Sequence, residues 1–205
     1  MVDLEPACEN DVVLAFLRAE IDAPRYAGGI LAHLKNVALS RQNLIDVANL
    51  KNEFDNHARA ICLAATRGYG LNDRLFRGYP NDVTWRRFDV RLNELSHFLY
   101  ANYHALTEVA GESRLVSDAA SRILGGLGDL SAEARQFIEG VPIVVERVKA
   151  GWQFPELVAV RDTHSQEIVL MEGHTRATAY VISQSPSSVR VLIGSSPSMY
   201  EWWLI

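Results

Sequence analysis

Residues 167–183 read EIVLMEGHTRATAYVIS, and this stretch decides the fold of the second half of the chain. Residues 168–171 are a short apolar run, which is typical of a strand. Glu172 and Gly173 follow as a turn, and residues 175–182 then have helical spacing. The stretch therefore predicts a strand that passes through a glycine turn directly into a helix.

The start of this predicted helix is a candidate anion site. The first four amides of a helix have no partner inside the helix, and the helix dipole adds partial positive charge there. We expect Gly173, His174, Thr175 and Arg176 to bind phosphate, with the Arg176 guanidinium supplying a planar fork of donors. The alternative is a structural corner in which Arg176 makes an ion pair.

The same residues carry a resemblance to a known family. Gly173-His174-Thr175-Arg176 followed by Ala179 is similar to the G-x-x-R-x-x-A segment of the ParB/sulfiredoxin (ParB/Srx) superfamily. Residues 154–160, FPELVAV, resemble the strand that begins with proline and precedes the segment in that family. The resemblance covers the last third of the chain. It implies a small mixed-sheet ParB/Srx-like domain that binds a nucleotide or phosphate at this turn.

Members of the family include nucleotide-hydrolysing partition proteins, sulfiredoxins, a free-serine kinase, and the plasmid fertility-inhibition (Osa) branch, which hydrolyses nucleotide and cleaves DNA. His174 stands where sulfiredoxins have their catalytic cysteine, so sulfinic acid reduction is not expected. Partition proteins carry a helix-turn-helix domain after the motif domain, whereas this chain ends soon afterwards at Ile205. The layout therefore resembles the fertility-inhibition branch most closely.

The resemblance also implies roles for the motif residues. Arg176 and His174 would neutralise charge that grows on a transferred phosphoryl group. Glu172 would hold Mg²⁺ or activate a water, with Glu146 or Glu156 as a second acid. Glu172, His174 and Arg176 are thus the predicted catalytic residues. The expected cofactors are ATP or another nucleotide, with Mg²⁺.

Net charge limits the possible contact with DNA. The chain has 205 residues, a formal net charge of −5 and a pI of about 5.7, so it has no global basic field. DNA would need a local patch, and Arg77, Arg86 and Arg87 are the candidates. They lie in a stretch where arginine, tyrosine and glycine alternate irregularly. The alternative is a loop that is packed by its own tyrosines.

Helical spacing dominates the first half of the chain. Glycines at 125–128 predict a boundary between a mostly helical domain, 1–126, and the phosphate-binding domain, 127–205. The fold class is therefore α+β. Cys62 lies on a helical apolar stripe and is interpreted as a core thiol. The predicted helices cover 11–19 up to a break at Pro24, 30–37, 41–66, 92–110, one from Ser117 or Asp118, one from Ser131 and one from Pro142; the predicted extended segments cover 85–90, 156–160, 168–171 and 189–193.

The chain begins without the basic and apolar regions of a signal peptide, and no apolar run approaches the ~20 residues of a membrane span. Two cysteines do not make a disulfide framework, so a cytoplasmic protein without membrane contact is expected. The tail at 198–205 is apolar and aromatic. It is expected to dock on its own domain or to bind a partner.

Three function classes fit these observations. The preferred one is an ATP-hydrolysing and DNA-cleaving effector of plasmid fertility inhibition, which blocks DNA transfer by conjugation. Its partners would be a nucleotide, DNA and a protein of the DNA-transfer machinery. The second is a small-molecule kinase of the free-serine type. The third is a non-catalytic interaction module that uses the Trp202-Trp203 tail or the tyrosine–arginine loop.

Overall fold

The fold combines helices with one mixed sheet, which confirms the predicted α+β class. The computed structural model describes residues 1–23, 25–36 and 40–205. The predicted helix break at Pro24 and the predicted helical position Val37 lie outside the described residues. The strands are β1 Val2–Ala7, β2 Thr84–Arg91, β3 Leu157–Asp162, β4 Val169–Glu172 and β5 Ser188–Ser196. The helices are α1 Glu9–Glu20, α2 Ala27–Asn36, α3 Glu53–Arg67, α4 Leu92–Leu95, α5 His104–Ala110, α6 Val116–Gly125, α7 Ala132–Lys149 and α8 His174–Ser183.

The five strands form one sheet in the order β1-β2-β5-β3-β4. β3 and β5 are parallel, and the other neighbours are antiparallel. Two strands of this sheet come from residues 1–126 and three from 127–205. The predicted boundary at the glycine cluster therefore separates two segments of sequence that share one sheet.

Both faces of the sheet are covered. Along β3, Val158 and Val160 face a core that includes Phe16 of α1 and Leu63 of α3. Leu157 and Ala159 face the opposite core, which includes Ala177 of α8. Successive side chains of a strand point to opposite faces, so a strand buried on both sides is apolar throughout. This explains the continuous apolar run that predicted the strand.

Two long predicted helices are wrong. The 41–66 prediction is a short π-helix, Gln42–Asp46, followed after a break by α3, whose first turn is capped by Asn52. The 92–110 prediction is α4 and α5, which are separated by a segment that pairs with strand residues. Leu99 in that segment donates its amide to Ile168 and accepts one from Leu170, both at 2.8 Å. Tertiary pairing of the backbone thus overrides the helical spacing.

Two other predictions need correction at their edges. β1 was not predicted, because its residues are exposed on an edge strand and carry no buried face that would give an alternating pattern. α7 is one helix that runs through Pro142, although two helices were predicted there. It starts where the sequence predicts, and the Ser131 hydroxyl caps its first turn by accepting the Ala134 amide.

The aromatic tail packs on its own chain. Trp202 is 1% exposed, and its indole donates to the carbonyl of Leu75 at 2.7 Å. The Trp203 indole donates to the carbonyl of Arg74 at 2.8 Å. None of the helices in the described part of the chain has the length and apolarity that crossing a membrane requires.

Candidate functional site

The turn between β4 and α8 has the predicted form. β4 ends at Glu172, Gly173 has φ +98°, and α8 begins at His174. This left-handed conformation favours glycine, and a side chain at position 173 would collide with Leu157. Gly173 is the N-cap residue, and no side chain caps the first turn of α8. We call residues 172–176 the corner.

Arg176 is held by the chain itself. Its side chain is 8% exposed and folds back towards Gly173. The guanidinium donates to the carbonyls of Pro155 and Glu156, the latter at 3.3 Å, and to Glu172 Oε1 at 3.3 Å. Because Pro155 and Glu156 lie just before β3, Arg176 links the start of that strand to the corner.

A second arginine reaches the corner from a distant part of the chain. Arg67 is the last residue of α3, and its side chain is 16% exposed. Its guanidinium lies 4.6 Å from the ring centre of Tyr26 and donates to the Tyr26 hydroxyl. The Arg67 NH2 group lies 4.0 Å from Glu172 Oε2. The two oxygens of Glu172 therefore face two different guanidiniums.

Glu20, the last residue of α1, lies behind Arg67. It is 2% exposed, and its Oε1 is 3.1 Å from Arg67 Nε. Within the described residues, neither carboxyl oxygen has a partner in hydrogen-bond geometry. Burial raises the pKa of Glu20 to about 8, because the pull of Arg67 only partly offsets the loss of solvent and Glu172 adds to the rise.

Arg67 stays positively charged at the pH values at which Glu20 gains or loses its proton. Burial opposes that charge, but Glu20 in its ionised form, Glu172 and Tyr26 together outweigh burial and raise the pKa of Arg67. The exchangeable proton of the pair therefore resides on Glu20. The raised pKa of Glu20 therefore favours its protonated, uncharged form at neutral pH.

We call Glu20, Arg67, Glu172 and Arg176 the corner cluster. With Glu20 in the protonated form that its raised pKa favours at neutral pH, the two guanidiniums are balanced by one carboxylate, that of Glu172. The uncapped first turn of α8 adds the positive end of a helix dipole. The local field at the corner therefore favours an anion.

His174 and Thr175 contribute main chain more than side chain to this site. The His174 ring is partly buried, packs edge-on against Tyr100 with centroids 5.0 Å apart, and accepts the Ala101 amide at 3.4 Å. Burial, with smaller contributions from Arg67 and Arg176, lowers the pKa of His174 to about 4 against the opposing effect of Glu172. The imidazole is thus neutral at pH 7. The Thr175 methyl group lies against Gly140 of α7.

The three arginines proposed for DNA contact do not form a stripe. Arg77 is exposed and stacks on Trp203 at 4.5 Å. Arg86 pairs with Asp3 at 2.6 Å. Arg87 is its neighbour on β2 and therefore points to the opposite face of the sheet.

Arg87 is surrounded by acids. Its guanidinium lies 2.6 Å from Glu156, 2.5 Å from Glu5 and 3.1 Å from Asp11. We call these four residues the Arg87 cluster. Glu156 is thus committed to Arg87, and Glu146, the other candidate for a second acid, pairs with Lys149 at 3.0 Å. The acid that the fold brings to Glu172 is instead Glu20.

The charges around Glu172 disfavour a divalent cation there. Both Glu172 oxygens face guanidiniums, and a cation bound there would stand beside two positive charges. Among the described residues, no group of three or more histidine, cysteine, aspartate or glutamate side chains could hold a metal ion. The predicted Mg²⁺ and its assignment to Glu172 stay predictions.

Sequence reasoning missed Glu20 and Tyr26 as parts of the site, and it placed Arg67 in a possible basic stripe facing the motif but not in the phosphate site. Arg67 was visible as a cation at a helix end, but that position is common for structural reasons. Glu20 carries no local signal, because Arg67 and Glu172, which act on it, lie 47 and 152 positions away in sequence. Comparison of the chain with protein-family models, with curated proteins and with solved structures finds no match.

Proposed function

We propose that the corner binds the phosphate groups of a nucleotide and that the protein hydrolyses that nucleotide. The observation that carries this proposal is the charge balance of the corner cluster. Two guanidiniums meet an uncapped helix N-terminus, and one carboxylate opposes them at neutral pH. This combination is suited to phosphate.

The free groups of the corner define how phosphate would bind. Phosphate oxygens would accept from the first amides of α8, at His174, Thr175 and Arg176. The Arg67 NH2 group would be the charged donor, because it has no hydrogen bond to the described residues that would have to break. Arg176 would act mainly by holding the corner rigid, since its donors are already engaged.

Hydrolysis requires a nucleophile and stabilisation of charge. A water oxygen would bond to phosphorus as the bond to the leaving phosphate oxygen breaks, and Glu172 would orient that water and accept its proton. Arg67 and the amides would stabilise the charge on the oxygens of the transferred group. His174 would remain a neutral packing group. Its predicted charge-neutralising role therefore lacks support from its environment.

Binding can be tested by thermal unfolding with ATP, ADP, AMP and pyrophosphate, each with and without Mg²⁺, at neutral pH. A ligand that binds only the folded state raises Tm. We expect ATP to raise Tm for the wild type and for Arg86→Gln, whose exposed arginine is outside the corner, and to lose this effect in Arg67→Gln. The loss of a charge-assisted hydrogen bond should weaken affinity by roughly 10- to 100-fold. The absence of any shift in the wild type would overturn the proposal.

The reaction itself separates hydrolysis from phosphate transfer. Release of inorganic phosphate from ATP without an added acceptor supports hydrolysis, whereas turnover that depends on a hydroxyl acceptor such as serine supports the kinase alternative. Cleavage of DNA, a partner from the DNA-transfer machinery and a cytoplasmic location remain further parts of the proposal. The pairing of Arg86 and Arg87 with acids gives DNA contact no additional support.

A further inference from the structure

Glu20 occupies an unusual position for an acid. It is nearly fully buried, and its oxygens lack hydrogen-bond partners among the described residues. Its Oε1 lies 3.1 Å from Nε of Arg67, the proposed ligand-binding arginine. Both oxygens of a buried carboxylate normally accept hydrogen bonds, because burial removes the water that would otherwise solvate the charge. An ionised Glu20 would have the nearby Arg67 charge but none of these hydrogen bonds among the described residues.

We propose that Glu20, in its protonated form, is the residue that positions Arg67 for the ligand, and that ionisation of Glu20 turns the site off. This proposal rests on the proposed function, because it assumes that Arg67 binds the phosphate group. Glu20 acts through Arg67 and does not touch the ligand, so it is a positioning residue.

The contacts around the Arg67 guanidinium support the claim that Glu20 positions Arg67. Glu20 is next to Nε, Tyr26 lies under the guanidinium plane and takes one N–H, and Glu172 lies 4.0 Å from the NH2 group. The side chain is therefore fixed on three sides, with the NH2 group towards the corner. This arrangement leaves one donor group of Arg67 for a phosphate oxygen.

The charge balance of the corner cluster supports the claim that ionisation of Glu20 turns the site off. When Glu20 loses its proton, the two guanidiniums of the corner cluster are balanced by two carboxylates, and the excess positive charge disappears. An approaching phosphate then meets a neutral cluster in a poorly solvated place, where Coulomb interactions are strong. The charged and titratable groups that bear on Glu20 or respond to it are Arg67 and Cys62 of α3, Arg25 and Tyr26 before α2, Glu172 of β4 and Arg176 of α8.

The first experiment needs no ligand. The side-chain carboxyl ¹³C signal of Glu20 is followed by NMR from acid to alkaline pH in the wild-type protein and assigned with Glu20→Gln. We expect a midpoint near 8, in accord with the effect of burial on the pKa of Glu20. A midpoint below about 6 would overturn the inference and leave the proposed function intact, since the normal range lies near 4.

The second experiment measures the affinity for ATP by calorimetry from about pH 7.5 to about 9.5, where the charge of the nucleotide is constant. We expect the wild-type Kd to rise about tenfold across this range, and the Kd of Glu20→Gln to stay flat at the wild-type value for the lower pH. Equal pH dependence in both proteins would contradict the inference. If neither protein binds ATP at any pH while Glu20 titrates near 8, the proposed function fails and takes this inference with it.

Discussion

Arg67 and Arg87 are nearly equally buried, with side chains 16% and 13% exposed, yet their surroundings differ in one respect. Arg87 alone faces three carboxylates, from Glu5, Asp11 and Glu156. Arg67 belongs to a cluster in which two guanidiniums share one ionised carboxylate at neutral pH. Under the proposed function, the local balance of charge, more than exposure, separates the arginine that serves the fold from the one that binds the ligand.

The two clusters also differ in the sign of their response to pH. In the Arg87 cluster, burial tends to raise the pKa of Asp11, but hydrogen bonds from Cys8 and Arg87 outweigh it and lower the pKa below 3.8. Stability from that group is present above 3.8 and is lost as the pH falls through the lowered value. The Glu20 pKa is raised, so its contribution is full below 4.5 and is lost as the pH rises through about 8.

The largest effect should follow Arg87→Met. The substitution leaves three carboxylates close together without their cation, so we expect the free energy of unfolding at pH 7 to fall by roughly 3–5 kcal/mol. Urea unfolding measures this loss, and mild acid should restore part of it by protonating the acids. ATP binding of the protein that remains folded should be unchanged. Loss of binding in the folded protein would show that the two clusters are not separate in function.

An intermediate effect should follow neutralisation of one acid in each cluster. Asp11→Asn should flatten the acid limb of the plot of unfolding free energy against pH, because its lowered pKa contributes there. Glu20→Gln should flatten the limb between about pH 4.5 and about 8, because the variant has no proton to lose. Denaturant titrations at a series of pH values provide the measurement. Two variants with the same limb flattened would remove the contrast between the clusters.

The smallest effect should follow Arg86→Gln. Arg86 is 43% exposed and pairs with Asp3, which is 44% exposed, and such surface pairs contribute little to stability. We expect Tm and ATP affinity to stay within experimental error of the wild type. A clear loss of DNA binding in this variant, measured by fluorescence anisotropy on a labelled duplex, would instead support the predicted DNA contact at this position.

The motif half of the fold was predictable because its signals are local. β3, β4, α8 and β5 lie close to their predicted positions, since each combines a short periodic pattern with a turn residue such as Gly173. Cys62 is 0% exposed, and burial raises its pKa to about 11, so the core interpretation is confirmed. Periodicity and turn chemistry act over a few residues and can be detected in sequence.

The remaining features depend on distant pairing. Leu99 leaves a helical pattern because its backbone pairs with residues 168–170, and β1 gains its strand from the register with β2. The site follows the same rule. Gly173 and Arg176 are three residues apart in sequence, whereas Glu20 and Arg67 reach the corner only because α1 and α3 end beside it. The sequence predicted the turn with Glu172 and Arg176, and the packing of distant helices added Glu20 and Arg67.

The shared sheet has a consequence for dissection of this protein. β5 lies between β2 and β3, so cutting the chain at the glycine cluster would strip one side of β5 of its hydrogen-bonded neighbour. The fragment from 127 would keep the glycine turn but would lack α1 and α3, and with them Glu20 and Arg67. The glycine turn alone therefore cannot reproduce the corner cluster, which draws two of its four residues from each side of the glycine cluster.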